Sequence, residues 1–315
     1  MSPNPFKTSP FKTSPGKTSS VKPGHATVVK NGPAARLIDL GRVGLKHVGL
    51  SQSGAADMHA YLWANHLLNN PKNSLAIETA MGQLQLRFET ATLVSVTGAK
   101  TQVYVNDKPM LPWSTFDIEA GDKLRIRSPE SGVYNYVAIK HGFSAIRDPD
   151  GKTLGQNDTI AYTPFVRSSS LRHRSCPWHQ IPDYEQTLAC RFIPDVQFSE
   201  FNQKDRVRFL ESSYQVRAES NKMGMRLQGA KLRYEGGKAH SQAVNRGTIQ
   251  IPGSGEPIVL LADHQTIGGY PKLGSVYACD SYQLAQRRPG QTLHFVPGNL
   301  VDAQEALRAM HQFFS

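Results

Sequence analysis

Cysteine is scarce in this chain of 315 residues: Cys176, Cys190 and Cys279 are odd in number and far apart. A disulfide framework is excluded, and reduced thiols in a cytoplasmic protein are expected. No run of about 18 apolar residues occurs, which argues against a helical membrane span. The N-terminal region has lysines but no apolar stretch to follow them, so no secretory signal is read there. Acidic residues are fewer than basic ones, 25 against 36, for a net charge of +11. Four of the lysines (Lys7, Lys12, Lys17 and Lys22) sit in a stretch without any acid. Recognition-helix, RNP-type and zinc-finger patterns are missing, so the charge reads as a solvated basic tail on a mildly basic globule and not as a nucleic-acid surface.

What is present divides the chain into four parts. Residues 1–25 repeat Phe-Lys-Thr-Ser-Pro and are polar and proline-rich, the composition of a disordered tail. Residues 26–147 carry short runs of strand composition, such as Leu93-Val94-Ser95-Val96 and the stretch from Val133 to Ile139, separated by turn signals. Within them Met58, Tyr61, Leu62, Asn65 and Leu68 recur at helical spacing, with Asp57 suited to the first turn and Pro71 to the stop. Ser74 to Glu78 gives a second, short helical signal. Residues 148–186, rich in Ser, Pro, Arg and His, read as a connecting loop. Residues 187–315 hold a second β-rich unit with helical patterns over 199–213 and from Val301 to Phe314. Each unit has about 100–120 residues, an ordinary domain size.

The richest stretch runs from Gly247 to Lys272. Thr248-Ile249-Gln250 and the apolar run Ile258 to Ala262 read as strands, and the second ends in Asp263-His264-Gln265-Thr266-Ile267-Gly268-Gly269-Tyr270-Pro271-Lys272. Asp263 either accepts a proton or orients an amide, or bonds the backbone of its own turn. Gln265 and Thr266 suit amides and carboxylates, or stabilise the turn. Gly268 and Gly269 let a ligand or another backbone come close. Tyr270 covers a ligand or packs in the loop. Lys272 neutralises an anion or is solvated. Gln250 faces opposite to Ile249 and Ile251, into solvent or a pocket. Arg226 grips a carboxylate or pairs with an acid across the sheet. Together these groups are expected to share one hollow, with Asp263 and Lys272 catalytic and Gln250, Arg226, Gln265, Thr266, Gly268, Gly269 and Tyr270 binding substrate. Asp57, Asn65 and Asn221 are assigned structural or secondary roles.

Other motifs carry less. The Gly-Lys-Thr triplets at Gly16 and Gly151 lack the earlier glycine of a phosphate loop, with Phe11 and Ile146 in its place. His173, Cys176 and His179 have metal-like spacing without a further ligand, and no metal is expected. Gly49 to Ser53 fails the nucleophile-elbow form.

Several of these segments resemble one family. They are Ser53-Gly54-Ala55-Ala56-Asp57, Ala64-Asn65, Ile77-Glu78 ahead of Gly82, Thr97-Gly98-Ala99, Ser220 to Gly229, Gly247 to Pro252, Pro257 to Leu260, Asp263 to Lys272, and Leu284 to Gly290. The chain, over roughly residues 26–300, is similar to the biotin-dependent carboxyltransferase / allophanate hydrolase subunit 2 family, whose members include the C component of 5-oxoprolinase, the carboxyltransferase domain of urea carboxylase and a component of a kinase-inhibitor complex. The resemblance implies a mainly β fold of two cyclophilin-like β-barrel domains with a few short helices. It also implies membership of an ATP-dependent 5-oxoprolinase-type complex that acts on 5-oxoproline or a related small amide or lactam. The partners would be a protein like the B component of 5-oxoprolinase and its A component. ATP would be handled through the complex, and biotin is not expected. The rival readings are a non-catalytic regulatory partner and a carboxyltransferase acting on urea. The chain departs from the family pattern at His141-Gly142 (a glycine pair), at Gly155 to Thr159 (Gly-Ser-Arg-Ser-Thr), at Lys222 (arginine) and at Asp195 (glycine).

Overall fold

A computed structural model describes residues 22–42, 44–145, 151–237 and 240–315. The expected disordered tail lies, up to residue 21, outside the described residues, and the first strand starts at Gly24.

The fold is mainly β, with four α-helices among the described residues: α1 (Met58–Leu67), α2 (Gln203–Glu211), α3 (Ala278–Leu284) and α4 (Leu300–Phe313). The first half is built from two sheets. One has seven strands and begins at its edge with Phe143–Ser144 and Thr159–Tyr162, followed by Gly24–Asn31, Leu84–Phe88 and Lys123–Ile126. The other has six, with Ser131–Ile139 between Ala76–Ala80 and Thr92–Lys100. Alternation sets the packing: Leu84, Leu86 and Phe88 of one sheet and Ile77, Val94, Val96, Val137 and Ile139 of the other point into a common core. The second half closes into a seven-stranded barrel. Its seam is the parallel pairing of Leu188–Pro194 with Thr292–Pro297. Its core is aromatic, with Phe209 stacked on Phe295 at 4.5 Å and Phe192 edge-on to both.

Two sequence expectations change. The segment 148–186 is not wholly a connection: Lys152–Thr153 pairs with Ala34–Ile38, and Thr159–Tyr162 with Gly24–Asn31, so the first half continues to Tyr162. The short helical signal at Ser74 to Glu78 is overridden by tertiary pairing. Ala76–Ala80 is a strand that puts Ile77 into the core and Glu78 on the opposite face.

The strand Ser131–Ile139 is buried on both faces, because α1 covers its back. Asp57 caps α1 by accepting from the Ala60 N–H at 3.1 Å. Ser95 and Thr97 donate from the sheet to the helix carbonyls of Ala64 and Ala60. Asn65, fully buried, donates to Ser74 O and accepts from Asn70, which ties the helix to the loop behind it. The far side of α1 meets Tyr282 of α3 and Met310 and Phe314 at the C-terminal end of the chain, so the helix is shared by both halves.

Candidate functional site

The contact between the halves is unusually polar. Gln286, completely buried, accepts from the N–H groups of Val133 and Tyr134 at 2.7 and 2.8 Å and donates to Asp57 Oδ2 and Tyr134 O. Tyr184 adds a hydrogen bond to the same Asp57 oxygen at 2.8 Å. Arg288 forks onto the carbonyls of Pro129, Glu130 and Gly132. Arg246 reaches across to the carbonyls of Ala55 and Ala56, with its guanidinium 4.5 Å from the centre of the Tyr282 ring. Burial lowers the Arg246 pKa, while the phenols and carboxylates around it act to keep its charge.

Asp263 stands at one end of this seam. The strand Ile258–Leu260 stops, the chain turns, and the Asp263 N–H binds Lys222 O at 2.9 Å. Its side chain, 21% exposed, accepts from Ser53 Oγ at 2.8 Å and meets Arg36 Nη1 at 3.4 Å and Lys222 Nζ at 3.9 Å. Lys222 in turn lies 2.7 Å from Glu78 Oε1. Glu78 uses its other oxygen to accept from the Ala56 N–H at 2.7 Å and the Tyr136 hydroxyl at 2.9 Å. Two carboxylates and two cations thus interlock across the halves, with the Ser53 hydroxyl between them. Ser53 holds a left-handed φ of 51°, and Gly54 follows at 84°, which turns the chain sharply into the site. Nearby phenols stay protonated: Tyr134 and Tyr136 have raised pKa values, first from burial and then from the charge of Glu78.

His264 follows Asp263 and is completely buried. Its Nδ1 lies 2.6 Å from Gln265 O, and a carbonyl only accepts, so Nδ1 carries the proton. Burial lowers its pKa, which favours the neutral ring and leaves the Nε2 lone pair without a partner among the described residues. Lys46 approaches the same region and donates to Asn245 at 2.7 Å.

The residues picked from sequence separate into distinct places. Asp263 belongs to the seam. Gln250 is buried at 1% exposure, and its amide nitrogen lacks a partner among the described residues. It lies under the ribbon formed by Gln242–Ala243 and Ile267–Gly268. A Cβ on Gly268 would fall 2.3 Å from that amide, so glycine here serves close packing. Lys272 pairs beside Gln250 in the barrel, but its ammonium is 3.4 Å from Asp195. Arg226 and Asn221 line a surface cleft of about 540 Å³ with Arg217 and Glu256. Asn221 itself holds the turn, accepting from the N–H of Met223 and of Gly224. Gly269 and Tyr270 line another groove, of about 880 Å³, with Arg233 and Tyr234. Gln265 is exposed, and Thr266 spends its carbonyl on the Val244 N–H. Three departures from the family pattern gain a physical setting. Lys222 makes the ion pair with Glu78, Asp195 holds Lys272, and His141 takes a φ of 70°, where glycine is the easier residue.

Arg36, Ser53, Glu78, Arg246 and His264 were given no site role by sequence reasoning, although Ser53, Glu78 and His264 lie in segments that carry the family resemblance. The partners of Arg36, Ser53, Glu78 and Arg246 lie 22 to 227 residues away, so no local spacing signals them, whereas His264 bonds its neighbour Gln265. His173, Cys176 and His179 diverge: His173 meets Asp117, Cys176 lies in the α1 core with its thiol pushed up to about 12 by burial, and His179 lies at a cavity rim. Among the described residues no helix is long and apolar enough to cross a membrane.

Comparison with known proteins fits this architecture. Over 305 residues the chain is 30% identical to the C component of 5-oxoprolinase from Escherichia coli, covering 91% of this chain and 96% of that one. It is also 30% identical to the same component from Haemophilus influenzae over 290 residues, 87% of this chain and 91% of that one. Urea amidolyase of Lachancea kluyveri is 26% identical over 309 residues, which span 87% of this chain and 16% of that much longer protein. The crystal structure of Kluyveromyces lactis urea carboxylase superimposes with a TM-score of 0.86 at 22% identity, over 93% of this chain and 29% of that one, which shows a shared fold. The sequence model of one family covers residues 48–297, which include Ser53, Glu78, Lys222 and Asp263 but not Arg36 or the first two strands, and the chain belongs to that family, the carboxyltransferase domain, subdomain A and B.

Proposed function

We propose that this chain is the counterpart of the C component in a 5-oxoprolinase-type assembly, and that it binds and polarises 5-oxoproline or a related small amide or lactam at the Asp263 seam. The observation that carries this reading is the partly open Asp263 carboxylate, held by Ser53 and backed by Lys222 and Glu78, with a half-exposed Arg36 at its outer side. A cyclic amide with a carboxylate offers an N–H that Asp263 accepts and an anion that the Arg36 fork receives. The 3.4 Å contact between Arg36 and Asp263 is the longest hydrogen bond in the cluster and the natural one to exchange for substrate. As the amide is activated, negative charge grows on its oxygen, and the Arg36 and Lys222 cations stabilise it. Lys272, engaged by Asp195, lies outside this set of contacts.

ATP enters this reading through the B-like and A components of the assembly. The residues at the seam do not suit a triphosphate, because Asp263 and Glu78 both present carboxylates to the same Lys222. A second reading, carboxyl transfer to urea, draws on the likeness to urea amidolyase, and the same Asp263 would accept from a urea N–H. The test is ATP-coupled turnover by the reconstituted assembly, assayed with 5-oxoproline and with urea. Asp263→Asn is expected to reduce 5-oxoproline turnover by about 10²-fold or more. Undiminished turnover by that variant refutes the site, and turnover of urea but not of 5-oxoproline refutes the substrate.

A further inference from the structure

A second cavity, of about 470 Å³, opens where α1, α3 and α4 meet residues 178–182. Its walls are chiefly Met310, Phe313 and Phe314 at the end of α4, Cys279 and Tyr282 of α3, and His59 of α1. Its size is that of a small-molecule site.

Charge is the first clue to its occupant. In a protein with 36 basic and 25 acidic residues, no Asp, Glu, Lys or Arg lines this space. Two of its ionisable wall residues are held neutral, and a third, His179, stands at the rim. Burial lowers the His59 pKa, and burial raises that of the Cys279 thiol. The His59 tautomer is set by Trp63, whose indole N–H donates to Nε2 at 3.2 Å. An ion in such a wall would lose its hydration without a counter-charge, so the cavity selects against charged ligands. The Asp263 seam, with its interlocked cations and carboxylates, selects the opposite way.

Shape and polarity narrow the choice further. Phe313 and Phe314 meet edge to face at 4.9 Å and 88°, and the Phe314 ring is edge-on to His59 as well. Such walls present ring edges and faces to a flat partner. Tyr282 is 9% exposed, and its hydroxyl makes no hydrogen bond among the described residues. The hydroxyl oxygen itself is open to solvent, so it is free to bond a ligand that enters the cavity.

We propose that this cavity is a binding site for a small, neutral, planar organic molecule, an aromatic body carrying one hydrogen-bonding group that engages the Tyr282 hydroxyl. Benzamide and benzoate, nearly equal in shape and different in charge, are the probes. Titrated calorimetrically into the full chain, benzamide should bind saturably and benzoate at least tenfold more weakly. Ala309 lies exposed on α4 at the cavity mouth, so Ala309→Phe obstructs the space without touching the core, and should weaken benzamide at least tenfold. Tyr282→Phe removes only the unengaged hydroxyl and should weaken benzamide about fivefold, the value of one neutral hydrogen bond. Benzoate binding as tightly as benzamide, no saturable binding at millimolar benzamide, or unchanged binding by both variants would each overturn the proposal. Because the readout is binding to the chain alone, it stands or falls separately from turnover at Asp263.

Discussion

Replacing Lys222 with methionine tests whether the two halves are locked by charge. The Lys222 side chain is 12% exposed and that of Glu78 4%, and their charged groups lie 2.7 Å apart. Lys222→Met keeps the length of the side chain and leaves Glu78 buried without its cation. Breaking a buried pair from one side costs about 3–5 kcal/mol, because the remaining charge stays desolvated. Glu78 keeps two donors, the Ala56 N–H and the Tyr136 hydroxyl, so the lower end of that range, about 3 kcal/mol, is expected. Glu78→Gln alone turns an amide toward the ammonium, which keeps the Asp263 carboxylate at 3.9 Å, so a smaller loss of about 2 kcal/mol is expected. In the double variant neither charge remains, and at least about 1 kcal/mol should be recovered relative to the sum of the single losses. The assay is urea unfolding followed by tryptophan fluorescence, with Trp63 a buried residue of α1, the helix that the seam supports. Single losses below about 1 kcal/mol, or losses that simply add, would refute the idea that this pair is a coupled, desolvated lock.

Other outcomes follow from the same geometry. Gln286→Leu removes the acceptor of two backbone N–H groups and a donor to Asp57, and should cost about 2–5 kcal/mol in urea unfolding; a loss under about 1 kcal/mol would show that water replaces the amide there. Gly98→Ala places a Cβ 2.2 Å from Tyr134 O at a φ of +98° and should lower stability by about 3 kcal/mol, seen as a fall in Tm. His59 and His264 both have pKa values lowered first by burial. The unfolded chain therefore takes up protons at these positions near pH 6.5 while the folded chain resists them. Their effect is absent above that pH, and stability is lost as pH falls below it. The slope should shrink in His264→Asn, and a slope identical to that of the unaltered chain would remove His264 from the account.

How much of this was legible in the chain depends on how far apart the interacting residues are. α1 could be read because Met58, Tyr61 and Leu62 repeat within one segment and Asp57 supplies its cap, all local features. α3 was not anticipated: at seven residues, it is too short for a period to emerge. The strand Ala76–Ala80 looked helical because alternation over five residues is weak, and pairing on both sides decides its state. The strand that delivers Asp263 was found, since apolar runs are written in the residues themselves, but Gly268, read as room for a ligand or another backbone, packs on the Gln250 and Val244 side chains. Which neighbours Asp263 meets was not written there. Ser53 and Arg36 are 210 and 227 residues away, and Lys222 faces Glu78 across 144. Nor could alternation tell that Gln250 turns under a covering ribbon while Arg226, two strands away in the barrel, faces an outer cleft. A barrel wall sends neighbouring strands' side chains to surfaces that diverge as it curves, so groups clustered in sequence need not share a hollow. What brings the chemistry together is the docking of one half on the other, held by Gln286, Arg288 and Arg246, residues whose backbone partners no spacing rule could name.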